Sequence, residues 1–220
     1  RLQPDPDGTT APLFLHFEVI PDRLPEPLRD LLAQFGPGVL QLEIGVQSFN
    51  PAVQHTIARR QDNAATEANL RWLRAHTQAH LHVDLIFGLP GETLASFAAG
   101  FDRLYALAPH EIQLGLLKRL RGAPIAHQTQ AHAMTYDAAP PYTVQHTDAV
   151  DADTVQRFAR LARYWDLLAN SGRFAQTLAL LMGRNDADGV VDAVDVARLA
   201  ASGVLTEVVD TANAVEQPTQ

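Results

Sequence analysis

The sequence predicts an α/β fold with parallel strands, and three observations carry that prediction. Short apolar runs alternate with a two-residue period at residues 12–20, 39–49, 81–88 and 111–118. The stretches between them carry apolar residues at helical spacing. Helix punctuation flanks these stretches, with Gly36 as a stop and Asn50-Pro51 and Thr93 as starts. Strands that alternate with helices pair in parallel through right-handed crossovers, which leaves a doubly wound sheet or all or part of a barrel.

Taken in order, "PLFLHFEVI" (Pro12 to Ile20) reads as the first strand. "PEPLRDLLAQFG" follows as a helix with Leu28, Leu31, Leu32 and Phe35 on one side. "VLQLEIGVQSF" is the second strand. "NPAVQHTIARR" opens a helix with Asn50 as N-cap and Pro51 at the first helical position, and this helix carries Arg59. A second helical stretch runs from Ala64 to His76. "LHVDLIFG" (Leu81 to Gly88) is the third strand and "LPGET" a turn. "SFAAGFDRLYAL" is a helix with Phe97, Phe101 and Leu104 on one face, and "EIQLGLLK" (Glu111 to Lys118) is the fourth strand. Residues 126–150 read as irregular, with Pro140-Pro141 and His127, His132 and His146. Asp151 to Ser171 reads as a long amphipathic helix with Val155, Phe158, Leu161, Trp165 and Leu168 inward. The expected division is 1–125, the α/β unit; 126–183, a loop and long helix; and 184–220, a polar helical tail.

Composition narrows the class. Of 220 residues, 46% are hydrophobic and 19% charged, as in a globular domain. A net charge of -8 argues against a general nucleic-acid or anionic-membrane surface. No apolar run reaches the length of a membrane span and no secretory signal is present, so a cytoplasmic setting is expected. Cysteine is absent, which excludes disulfides and thiolate ligands within these residues. The chain begins at Arg1 rather than Met, so the expectation is a segment whose first partner is the upstream part of the same polypeptide.

The strands share an unusual feature. His16 and Glu18 alternate with Leu15, Phe17 and Val19; Glu43 and Gln47 with Leu42, Ile44 and Val46; His82 and Asp84 with Leu81, Val83 and Leu85; and Gln113 with Leu114. Strands of parallel sheets are ordinarily apolar on both faces. Polar groups there are either satisfied core pairs or the lining of a lumen that holds a polar ligand. Ligands of parallel α/β folds bind at the carboxyl ends of strands, where Glu18, Gln47 and Asp84 fall. Arg59 follows closely and suits a ligand carboxylate.

The pieces "HFEVIP", "LEIGVQSFNPAVQHTIARRQ" and "HVDLIFGLPGET" resemble, in order and near spacing, the radical S-adenosylmethionine enzymes, and among them the oxygen-independent coproporphyrinogen oxidase type. "QLGLLKRLRGAPI", "PPYTVQHTD" and "YWDLLANSGRF" are closer to a branch in which a cobalamin-binding domain precedes the radical domain. The resemblance implies a partial (β/α) TIM-like barrel, here its third to sixth strands, with a helical C-terminal extension. It also implies roles at the cofactor-binding positions: Glu18 toward the methionyl ammonium of S-adenosylmethionine, Gln47 and Asp84 on the ribose hydroxyls, Arg59 on the carboxylate and Ile86 against adenine. Glu43 and His82 are left as substrate-side candidates. The family's [4Fe–4S] cluster sits on a CxxxCxxC loop that these residues lack, so its ligands are expected outside the chain, as is any cobalamin domain. The chain alone is therefore not expected to make a radical. The competing expectation is a non-catalytic α/β module that binds a small nucleoside-like or anionic ligand. Exposed edges of a part-barrel imply self-association.

Other signals are weaker. Asp186, Asp188, Gly189, Asp192 and Asp195 approach the spacing of a calcium loop, but Arg184 stands at its first ligand position, so a polar turn is expected. His80 and His82 share a strand face, which suits pocket lining better than zinc.

Overall fold

The computed structural model describes residues 13–174, 177, 178 and 182. Four strands, β1 (Leu15–Val19), β2 (Leu40–Gln47), β3 (His80–Phe87) and β4 (Glu111–Leu116), form one sheet in chain order, each pair parallel. The connections are α1 (Glu26–Leu32), then α2 (Pro51–Thr56) with α3 (Asn63–His76), then α4 (Leu94–Ala106). A two-stranded antiparallel sheet, β5 (Thr135–Tyr136) with β6 (Val144–His146), and α5 (Ala152–Trp165) follow. This is the α/β fold with parallel strands that the alternation predicted, and it fits the partial barrel with a helical extension that the family resemblance implied.

The alternation on the strands becomes the layering of the fold. Leu42, Ile44 and Val46 of β2 and Leu81, Val83, Leu85 and Phe87 of β3 are buried, and they pack with Leu70 and Leu73 of α3 and Phe97, Phe101 and Leu104 of α4. Each such side chain contributes about 1.5–3 kcal/mol. The intervening residues on both strands are half-buried and face the opposite side.

Polar side chains start the helices. Asn50 Oδ1 accepts from the Ala52 N–H at 2.9 Å and Thr93 Oγ1 from the Ser96 N–H at 3.1 Å. Asp62 caps α3, which starts at Asn63, one residue before the expected start, and accepts from the N–H groups of Ala64 and Ala65.

Arg59 is not on a helix. α2 ends at Thr56, Ala58 turns into the left-handed region at φ 56°, and the Arg59 N–H donates back to Gln54 O at 2.7 Å. That reversal returns Arg59 to the strand ends. The helix expected over 151–171 also changes character: α5 gives way to a π-helical turn, Asp166–Asn170. The turn brings the Asn170 side chain to the open edge of β4. There Asn170 Nδ2 donates to Ile112 O at 3.1 Å and the Ile112 N–H donates to Asn170 Oδ1 at 3.2 Å. Trp165 Nε1 donates to the same carbonyl at 2.9 Å. β4 stops at Leu116 because the next residues pair elsewhere: the Val144 N–H donates to Leu117 O at 2.9 Å, and Lys118 bridges Thr143. The calcium-like loop and the expected tail at 184–220 lie outside the described residues.

Candidate functional site

The site begins with a backbone irregularity at the end of β2. Gly45 is in register with Asp84, but Gln47, two residues on, is in register with Leu85, so β2 carries one extra residue there. Gln47 absorbs it at φ 70°, a left-handed conformation on a non-glycine residue, and the Ser48 N–H donates to Val46 O at 2.9 Å across it. The bulge swings the Gln47 side chain back over Gly45. A Cβ on Gly45 would meet Gln47 Nε2 at 2.6 Å, so only glycine leaves room for the amide in this position.

Beside this bulge lies a cavity of about 720 Å³ at the carboxyl ends of β1, β2 and β3, within the range of small-molecule sites. Of the expected residues, Glu18, Glu43, Gln47, Arg59 and Asp84 line it together. Its carboxylates, Glu18, Asp22, Glu43 and Asp84, face the guanidinium groups of Arg59 and Arg60, a balance suited to a ligand with both charges. Arg59 is held in place by Nη2 donating to Gly45 O and Nε donating to Gln61 Oε1, the latter at 2.8 Å. No described residue accepts from its Nη1. Burial pulls the Arg59 pKa below its ordinary value, and Asp22 acts against that shift.

Two buried acceptors at the cavity receive no hydrogen bond: Gln47 Oε1 and Asp84 Oδ1. Such atoms are uncommon, and each costs about 1–3 kcal/mol unless a donor reaches it. His82 Nε2 lies 3.2 Å from Asp84 Oδ1, but its closer partner is Gln113 Oε1 at 2.6 Å, so the Asp84 contact is an ion pair rather than a directed hydrogen bond.

Ile86 and His82 are not among the lining residues. Ile86 packs against the second apolar cluster with Leu89, Leu117 and Val144. His82 is tied to β4, with Nδ1 on Glu111 Oε2 at 2.6 Å. Its pKa is raised to about 9, first by the Asp84 carboxylate and then by Gln113 and Glu111, against the effect of burial. Farther along the polar face His16 pairs with Glu43 at 3.0 Å and His80 with Glu111 at 3.3 Å. The two halves of the polar face differ. Satisfied pairs fill the amino-terminal half, and a cavity with unsatisfied acceptors fills the carboxyl-terminal half.

The supports of the site went unread in the sequence. Ser48 Oγ donates to Glu92 Oε2, and Glu92 is fully buried. Gln54 Nε2 donates to Ser48 O at 2.7 Å and to Asn63 Oδ1 at 2.7 Å, while Asn63 Nδ2 donates to Phe49 O at 2.8 Å. The Ser48–Glu92 bond ties the loop after β2 to the loop after β3, and the others tie it to α2 and α3. Asp22, Arg60 and Gly45 were also missed; Gly45 had a signal, as a lone glycine inside a strand marks a bulge or a close approach.

No family model matches the chain. It is 32% identical over 97 residues to the oxygen-independent coproporphyrinogen III oxidase of Paracoccus denitrificans, a match covering 44% of this chain and 21% of that protein. It is 43% identical over 72 residues to the enzyme of that name from Bradyrhizobium diazoefficiens, covering 33% of this chain and 16% of that one. Among solved structures, the radical S-adenosylmethionine methyltransferase TsrM of Kitasatospora setae, solved with tryptophan substrate and an S-adenosylmethionine analogue, superposes with a TM-score of 0.50 at 21% identity, over 59% of this chain and 26% of that one. The described fold is thus similar to that of the part of this methyltransferase on which it superposes. In sequence the chain is related to the oxygen-independent coproporphyrinogen III oxidases, over a matched stretch that spans 21% of the length of the Paracoccus denitrificans relative.

Proposed function

We propose that this chain supplies part of the S-adenosylmethionine pocket, and part of the substrate wall, of a radical S-adenosylmethionine enzyme. The observation that carries the proposal is that Gln47 and Asp84, whose buried Oε1 and Oδ1 receive no directed hydrogen bond, line one polar cavity with Arg59. Ribose hydroxyls are donors that suit two such acceptors. A carboxylate suits the Arg59 guanidinium, and an ammonium or sulfonium suits the Glu18 and Glu43 carboxylates. A zwitterionic nucleoside derivative has all of these groups.

The chain's own contribution is binding and orientation. Gln47 and Asp84 fix the ribose, Arg59 fixes the far end of the ligand, and the glycine at 45 admits both to the same corner. Bound S-adenosylmethionine would supply the source of a 5'-deoxyadenosyl radical in the whole enzyme. The cluster that reduces it does not fit these residues: none of the 220 is a cysteine, so its thiolates come from elsewhere. A cobalamin requirement would likewise rest on residues outside this chain.

Titration calorimetry of S-adenosylmethionine into the cluster-loaded protein tests the proposal. Asp84→Ala and Gln47→Ala should each weaken binding by on the order of tenfold, the value of a buried hydrogen bond to a charged or strongly polar partner. Unchanged affinity in both would favour a module for some other anionic ligand held by Arg59.

A further inference from the structure

The His82 cluster lies next to the cavity without lining it, and this position gives it a role. It rests on the nucleoside reading of the cavity made above. We propose that His82 is a positioning residue, an imidazolium anchored on β4 that holds the Asp84 carboxylate aimed at the ribose position.

The geometry favours a charged ring. His82 Nδ1 faces Glu111 Oε2 at 2.6 Å, and a carboxylate only accepts, so Nδ1 carries a proton. Nε2 faces Gln113 Oε1 at 2.6 Å and Asp84 Oδ1 at 3.2 Å. A lone pair there would point at two oxygens, whereas an N–H satisfies one and attracts the other. The groups facing the ring are, from β2, its register partner Glu43; from β3, Asp84 and His80; and from β4, Glu111 and Gln113. Glu43 is in turn paired with His16, and His80 stacks on His110 at 4.8 Å. Carboxylates dominate this set, and the raised pKa of about 9 follows from them. The ion pair leaves Oδ1 of Asp84 without a directed donor, so the carboxylate is held but not consumed.

The test is calorimetric titration of 5'-deoxyadenosine, which has no titrating amine, into the full protein. The control probe is 2',3'-dideoxyadenosine, which lacks the 2' and 3' hydroxyls and keeps the 5' hydroxyl. His82→Gln should weaken 5'-deoxyadenosine binding by about tenfold, the value of one charge-assisted contact, and leave the dideoxy probe unchanged. Wild-type affinity for 5'-deoxyadenosine should fall as pH rises through about 9. Glu111→Gln, which keeps the fold's packing, should move that fall to lower pH. Histidine ¹⁵N NMR should show both ring nitrogens of His82 protonated at neutral pH. Wild-type affinity in His82→Gln, equal losses for both probes, or a pH profile unmoved by Glu111→Gln overturns the role of His82 and leaves the cavity reading in place. A wild-type protein that binds no nucleoside overturns the cavity reading as well.

Discussion

At the scale of single residues, Gln47 concentrates the account. A left-handed φ on a side chain with a Cβ costs on the order of 1 kcal/mol or more, and such strain gathers where function needs a side chain aimed in an unusual direction. Here the strained backbone places an amide oxygen in a buried spot with no protein donor. Gln47→Gly is therefore expected to raise stability by about 1 kcal/mol while weakening ligand binding. Paired chemical denaturation and calorimetry would check both changes. The two perturbed histidines set opposite limits on pH. His82 has its pKa raised from 6.5 to about 9, so its contribution to stability is complete below about 6.5 and is lost as pH rises toward 9. His110 has its pKa lowered from 6.5 to about 4, chiefly by burial and then by the nearby Arg74. Its contribution is complete above about 6.5 and is lost as pH falls toward 4, because the unfolded chain then binds a proton that the folded chain refuses. Stability from these two groups should peak near neutrality in denaturation series across pH, with the acid loss reduced in His110→Asn.

At the scale of elements, the loops after β2 and β3 act as one unit through Ser48 and Glu92. Removing the carboxylate in Glu92→Ala leaves the Ser48 hydroxyl buried without its acceptor and should destabilise the fold by about 2 kcal/mol. Glu92→Gln should lose much less, as read by thermal melts. How much of this was legible in the sequence follows from the physics of each feature. The strands and the helices α3 and α4 were legible because burial imposes a periodicity on the residues themselves, and so were the caps Asn50 and Thr93, because capping needs particular side chains. The bulge had only the hint of Gly45, and nothing in "GVQSF" distinguishes a left-handed Gln47 from an extended one. The end of α2 before Arg59 was hidden because Ala58, which makes the turn, is a strong helix former. The Ser48–Glu92 bond joins residues 44 apart, and no local pattern encodes such a pairing. The residues of the site were named mainly through family resemblance; composition and spacing indicated only that something polar sits on that face.

At the scale of the whole molecule, the two sheet edges differ. The β4 edge is covered by Asn170, Trp165 and the segment leading to β6. The β1 edge pairs with β2 alone in the described residues, and Phe14, Phe17 and Ile20 on and beside it are more than half exposed, at 58%, 51% and 58%. Open apolar strand edges invite pairing. The isolated chain should therefore self-associate in sedimentation velocity, and Phe17→Lys should shift it toward monomer; a monodisperse wild-type monomer would contradict this. The central claim is that the cavity between β1, β2 and β3 holds a nucleoside by its ribose. The most direct measurement is a crystal structure of the full protein with S-adenosylmethionine. The account predicts ribose hydroxyls within hydrogen-bond distance of Gln47 Oε1 and Asp84 Oδ1, with the ligand carboxylate on Arg59. A ligand bound elsewhere, or bound here with its ribose away from both residues, would contradict it.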